Sequence, residues 1–191
     1  MKSLKGTQTE TNLMTSFAGE SQARNRYTFF ASAAKKEGFV LVSEIFTETA
    51  AQEMEHAKRM FKFLEGGCVE IKAAFPAGVI GSTLDNLLAA AGGEHEEWKD
   101  AYPAFAKTAR KEGFVEIAEM YENIAVAEAY HEKRYRAMAD LIKKGRMFKR
   151  DKSVAWRCRN CGFLLKGAEA PKECPACKHP RDYFELLVQA W

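Results

Sequence analysis

No apolar run in the 191-residue sequence is long enough to span a bilayer. No secretory h-region follows Met1-Lys2-Ser3-Leu4-Lys5-Gly6, so we expect a cytoplasmic protein with no membrane attachment. A net charge of +3 is too small to argue for nucleic acid, and the basic residues form no stripe interleaved with aromatics. The densest basic segment, Lys143 to Lys152, reads as a solvated helix end and linker, with a docking surface for an acidic redox partner as the sharper alternative. Cysteine is missing from the first 157 residues except for Cys68, which follows Glu65-Gly66-Gly67 and reads as an ordinary free thiol. The other four stand as Cys158-x-x-Cys161 and Cys174-x-x-Cys177, which in a chain without a signal peptide indicates metal thiolates rather than disulfides.

Histidine is scarce too, with four residues against 26 acids, yet two of the four occupy matching places. Glu53-Met54-Glu55-His56 recurs 75 positions later as Glu128-Ala129-Tyr130-His131. A carboxylate and an imidazole three residues apart share one face of a helix and can serve one metal. The repeat is wider than the motif: Lys35-Lys36-Glu37-Gly38-Phe39-Val40 returns as Arg110-Lys111-Glu112-Gly113-Phe114-Val115, and Tyr27 as Tyr102. An internal duplication that conveys both motifs makes a metal site shared between the halves far more economical than two solvated helix faces.

Helical periodicity predicts four long amphipathic helices, over about Thr9–Lys36, Phe39–Leu64, Ser82–Lys111 and Phe114–Lys144. The connection over residues 68–81 suits a crossover between helices that are not antiparallel neighbours, which predicts a mainly α, ferritin-like four-helix bundle. Five acids, Glu20, Glu53, Glu94, Glu97 and Glu128, fall on the inward stripes, as does Arg24; Trp98 and Phe105 read as core. Unpaired carboxylates there would each cost several kcal/mol, roughly, or be forced neutral. Two divalent cations remove the problem, and oxygen donors with two imidazoles suit iron or manganese. In that arrangement Glu53 and Glu128 bridge, Glu20 and Glu94 are terminal, and His56 and His131 face opposite metals. Tyr27 and Tyr102 are expected to hydrogen-bond to metal-bound carboxylates, while His95 and His179 point elsewhere. The duplication is imperfect at one place: Glu20 lies seven residues before Tyr27, but Glu94 lies eight before Tyr102. The extra residue predicts a π-bulge and an additional inward acid, Glu97.

The four cysteines provide a tetrahedral site for one zinc or one iron, and their spacing does not choose. Taken together, Glu20, Glu53-x-x-His56, Glu94-x-x-Glu97, Glu128-x-x-His131, Cys158-x-x-Cys161-Gly162 and Cys174-Pro175-x-Cys177 resemble the rubrerythrins over essentially the whole chain. The resemblance implies a ferritin-like di-iron bundle over residues 1–146 and a rubredoxin-like domain with iron on its four cysteines over 147–191. It also implies a non-haem peroxidase that reduces hydrogen peroxide to water. Its electrons would come from NADH through separate donor proteins, a rubredoxin or a reductase. The family further implies that Glu97 exchanges with His56 on reduction, and that the chain forms a head-to-tail homodimer. Tyr27, Tyr102 and Glu97 are the candidate proton donors, and Trp156, Phe163, Phe184 and Trp191 are expected around the tail metal. Departures from free rubredoxins are the short interval between the cysteine pairs, Phe163 where tyrosine is common and Lys178 where glycine often follows the last cysteine. The rival readings are a ferroxidase or iron-handling protein, and a non-enzymatic metal-binding module with zinc in its tail.

Overall fold

The two halves of the duplication begin alike. In the computed structural model, which describes residues 2–188, the Thr7 hydroxyl accepts from the Glu10 amide at 3.1 Å and the Ser82 hydroxyl from the Asp85 amide at 3.2 Å. Each satisfies one of the free amides at a helix start. Helix α1 then spans Gln8–Lys36 and α2 spans Val40–Phe61. In the second half α3, Thr83–Glu96, is joined to α4, Tyr102–Glu112, through a π-helical turn at Glu97–Ala101, and α5 spans Val115–Lys143. The π turn lies where the inserted residue was expected to be absorbed.

The repeated Glu-Gly-Phe-Val segment makes the same corner twice, with Gly38 and Gly113 at φ of 82° and 87°, a conformation in which a Cβ is strained. The glutamate before each glycine caps the first helix of the opposite half. Glu112 accepts from the Thr9 amide at 2.9 Å and the Thr9 hydroxyl at 2.6 Å, while Glu37 accepts from the Thr83 amide at 3.0 Å. A carboxylate at a helix N-terminus is also favoured by the helix dipole. Thus the repeat is a reciprocal fastening of the two halves.

Packing follows the same pseudo-twofold relation. One apolar cluster gathers Tyr27, Phe46, Ala34 and Tyr135, and another gathers their counterparts Tyr102, Tyr121, Ala109 and Met60. The acids Glu20, Glu53, Glu94 and Glu128 are buried on the same helices. Residues 62–82 cross between the halves without regular structure. Arg24 departs from the predicted stripe: it is exposed, because Ala23 and Tyr27 take the inward positions of that turn. No helix among the described residues is long and apolar enough to cross a membrane.

The tail is a three-stranded antiparallel sheet of order β2-β1-β3, with β1 at Lys149–Cys158, β2 at Leu164–Glu169 and β3 at Phe184–Leu186. Its small core holds Trp156 and Phe184, with Phe163 packed against them; Trp191 lies outside the described residues. The basic segment is less of a linker than its composition implied. Strand β1 begins at Lys149, Met147 is buried in the bundle's apolar cluster, and the Phe148 ring stacks parallel to Phe39 with centroids 6.4 Å apart. Arg159 pairs with both Glu44 on α2 and Glu185 on β3. A Cβ at Gly38 would lie 2.9 Å from the Asp182 carboxyl carbon, so the tail packs against the α1–α2 corner where only hydrogen fits without displacement.

Removing either crossed cap tests the fastening. Glu112→Ala and Glu37→Ala are each expected to cost about 1 kcal/mol in urea unfolding, the usual loss for a helix cap. Midpoints equal to that of the parent chain would mean that these carboxylates hold nothing together.

Candidate metal centre

Within the bundle, nitrogen and carboxylate oxygen atoms converge in two groups of four whose members lie within 4.8 Å of one another. One contains Glu20, Glu53, His56 and Glu128; the other contains Glu53, Glu94, Glu128 and His131. Glu53 and Glu128 belong to both because each directs its two oxygens in opposite senses. His56 Nδ1 lies 3.0 Å from Glu53 Oε2 and 2.9 Å from Glu128 Oε1, and His131 Nδ1 lies 3.2 Å from Glu53 Oε1 and 2.7 Å from Glu128 Oε2. The i,i+3 spacing read in the sequence produces this geometry.

The terminal carboxylates are held by tyrosines from the opposite half. Tyr27 donates to Glu94 Oε1 at 2.6 Å, and Tyr102 donates to Glu20 Oε1. That leaves Glu20 Oε2 and Glu94 Oε2 buried with no hydrogen-bond partner, together with Glu53 Oε1, both Glu128 oxygens and His131 Nδ1. Buried polar atoms are rarely left unpartnered, and six of them facing one another is what two cations would resolve. The donors therefore fit a di-iron centre.

The ionisation states of the metal-free site say the same thing. Burial, then the Glu53 and Glu128 charges, pushes Glu20 well above the carboxylate range, and burial pushes Glu94 to about 8. Burial also works to raise Glu53, but the neighbouring His131 and His56 imidazoles hold it at about 2. Burial opposes charge on both imidazoles, yet Glu128 and Glu53 raise His56 to about 10 and His131 to about 12. Without metal, protons occupy the place of the cations.

Two residues in this region escaped the sequence reading. Gln52 Oε1 lies 2.9 Å from His131 Nε2, so that nitrogen donates and Nδ1 is the one left to bind metal once its proton is lost. Glu132 accepts from Trp98 Nε1 at 2.5 Å, His95 Nδ1 at 3.0 Å and Arg136 Nε at 2.5 Å. Trp98 is accordingly half-buried at the edge of the bundle rather than in its core, drawn there by a carboxylate that its indole can reach. Only the position of a glutamine or glutamate beside a candidate ligand could have signalled either. Glu97 is in neither donor group. It sits on the π turn and lines a cavity of about 230 Å³ with Gly19, Arg26, Phe75 and Tyr102. Burial and the Glu94 charge push its carboxyl well above the usual range. His95 and His179 join no donor group, and Cys68 is an exposed free thiol, as expected.

In the tail, Cys158, Cys161, Cys174 and Cys177 form one group. The Cys158–Cys177 and Cys161–Cys174 sulfur pairs are each 3.7 Å apart, near the ~3.8 Å edge of a tetrahedron with metal–sulfur bonds of about 2.3 Å. The same turn is made twice: the Gly162 amide donates to Cys158 O at 2.8 Å, and the Lys178 amide to Cys174 O at 2.9 Å. Lys178 adopts the left-handed φ of 63° that glycine supplies at Gly162. A hydrogen bond from the His179 amide draws Cys177 down to about 6, toward the thiolate that a metal needs. The four sulfurs together fit one further iron.

Comparison with known proteins agrees with this construction. The rubrerythrin family profile matches residues 11–139, and the rubredoxin-like domain of rubrerythrin matches residues 156–185. The rubrerythrin of Nitratidesulfovibrio vulgaris is 60% identical over 191 residues, covering 100% of both chains. That of Porphyromonas gingivalis is 60% identical over 186 residues, covering 97% of this chain and 93% of its own. Among solved structures, the mixed-valence state of nigerythrin superposes with a TM-score of 0.64 at 32% identity, covering 97% of this chain and 89% of that one.

Loading the centre should expel protons. At neutral pH both imidazoles lie below their raised pKa values of about 10 and about 12, and are charged in the metal-free chain. A metal requires them neutral, so ferrous iron added at pH 7 should release more than two protons per filled pair, Glu94 contributing with its pKa of about 8. Affinity should rise with pH for the same reason. A pH-stat titration reads both; proton-neutral loading would contradict the arrangement.

Proposed function

Since the chain belongs to the rubrerythrin family, we propose that it is a non-haem di-iron peroxidase that reduces hydrogen peroxide to water. Electrons would arrive from NADH through a separate rubredoxin or reductase and pass through the tail iron. The observation that carries this reading is the union, in one chain, of a two-metal donor set with a four-thiolate centre. A ferroxidase would need only the first.

Bound at the two donor groups, a ferrous pair supplies the two electrons that cleavage of the O–O bond takes. The protein's own residues account for the rest. Glu53 and Glu128 fix the separation of the two positions, and Tyr27 and Tyr102 hold the terminal carboxylates in place. The cavity beside Glu97 and Tyr102 is of a size for a small oxidant. Reduction to two waters consumes two protons, and Glu97, whose carboxyl is pushed well above the usual range by desolvation and the Glu94 charge, would deliver one from that cavity. Tyr102 is the second candidate, and Tyr27 a third on the far side.

Glu97 is also the donor we assign to the oxidised centre, giving way to His56 on reduction. In its favour, the present donor group includes His56 and leaves Glu97 at the cavity, and the His56 side chain is 16% exposed where His131 is 3% exposed. We divide the chain at 1–146 and 147–191 and place it in the cytoplasm. Stopped-flow oxidation of the diferrous protein tests the main reading. Hydrogen peroxide should react far faster than dioxygen, and dioxygen reacting as fast or faster would favour the ferroxidase.

The route of the electrons is a separate proposal. It packs at the end of its own bundle, beside Glu44, nine residues or about 14 Å of helix before Glu53. A head-to-tail homodimer would bring each tail to the partner's centre, so we propose transfer in trans. Refolding a chain lacking Cys158 and Cys161 together with one lacking Glu53 and His56 should restore turnover in the mixed dimer. Inactive mixed dimers with intact remaining sites would rule it out.

A further inference from the structure

Three neighbours of site residues meet outside the site. His95 follows Glu94, Trp98 follows Glu97, and Glu132 follows His131. The Glu132 side chain, 11% exposed, accepts from both of the others through Oε2, while Oε1 takes Arg136. The His95 and Trp98 rings meet edge to face with centroids 5.2 Å apart. Among the described residues nothing comparable exists in the other half. Subtracting 75 from Glu132 gives Ala57, and the counterpart of Trp98 is Ala23 or Arg24, the choice depending on where the extra residue is counted. The knot thus occurs only in the half that contains the π turn.

A π turn is a poor local structure and persists where something outside it over-determines it. The backbone of Glu97–Ala101 contributes no buried residue of its own to the bundle. The turn packs against α5 through Ala101, and the side-chain hydrogen bond that fastens it there is the short one between the Trp98 indole and the Glu132 carboxylate, a charge-assisted bond of the stronger kind. Because Glu97 and Trp98 are consecutive, fixing the indole on the outside fixes where the preceding carboxyl is carried on the inside.

We infer that Glu132, with Trp98 and His95, is a positioning clamp that holds the π turn and so keeps Glu97 within reach of the metal centre. The inference rests on Glu97 being a donor of that centre, and not on the identity of the oxidant. Arg136 neutralises Glu132 from outside and is not part of the clamp's grip on the turn.

Amide hydrogen exchange on the full chain, metal-free and iron-loaded, tests the clamp. Trp98→Phe keeps the ring but removes the donor, and Glu132→Leu removes the acceptor. Both should speed exchange of the amides of residues 97–101 roughly tenfold while leaving those of α2 unchanged, as expected for loss of one strong bond to a locally opening segment. Glu132→Gln, whose amide oxygen still accepts from the indole, should restore most of the protection, and Arg136→Ala should lie near the parent chain. Unchanged exchange in Trp98→Phe and Glu132→Leu, or an equal increase throughout the bundle, would overturn the proposal. The second readout is release of bundle iron from the oxidised protein to a chelator, which should be faster in Trp98→Phe, Glu132→Leu and Glu97→Ala alike. Release at the parent rate in Glu97→Ala would overturn the role given to Glu97, while the exchange data judge the clamp by itself.

Discussion

Everything in the bundle depends on the sharing of two carboxylates, Glu53 and Glu128, between two imidazoles. Each is buried among apolar side chains, and each turns one oxygen toward His56 and the other toward His131. Such a cluster is tolerable only when positive charge lies between its members. In the metal-free chain, imidazolium rings supply it while protonation of Glu20 and Glu94 lessens the negative charge to be balanced; in the loaded protein two irons do. The apolar clusters on either side exclude water and therefore make the compensation obligatory. Stability and metal binding are for this reason one problem in this fold rather than two.

Duplication solves the geometric part of that problem. Two copies of a helix pair, related by a pseudo-twofold, place equivalent donors on opposite sides of one space. The tyrosines and capping glutamates cross from half to half, Tyr27 to Glu94 and Tyr102 to Glu20, Glu37 to Thr83 and Glu112 to Thr9. No half can assemble its share of the site without the other.

Much of this was legible in the residues. Period 3.6 located four helices, the acids on apolar stripes pointed to the carboxylates that gather in the two donor groups with Glu97 excepted, and the mismatch between seven and eight residues located the π turn. Arg24 was misread because the stripe in α1 is narrow there and a one-residue phase error moves a side chain from core to solvent. Trp98 was misread because an aromatic residue near an apolar stripe carries no mark of the carboxylate that claims its N–H. Gln52 and Glu132 went unnoticed for a related reason: polar residues on a helix flank look solvated until the partner across the gap is known. The docking of the tail was equally illegible, since neither Arg159 nor Phe148 announces a contact with a corner more than a hundred residues earlier.

The departures from the repeat share a location. Gln52 anchors His131, but its counterpart near His56 is Ala127, which has no side chain to offer. Glu132 ties down the residues after Glu94 and Glu97, but its counterpart is Ala57. Both losses fall around His56, and both additions fall around His131. A site of two formally equivalent positions has therefore been made into one anchored position and one with fewer restraints. Under the proposed ligand exchange one donor must leave and another approach, and the less restrained His56, with Glu97 outside both donor groups, is where that exchange would fall. Had Gln52 been repeated at position 127, the second ring could have been held as firmly as the first, and the centre would have gained affinity while losing the freedom that redox chemistry uses.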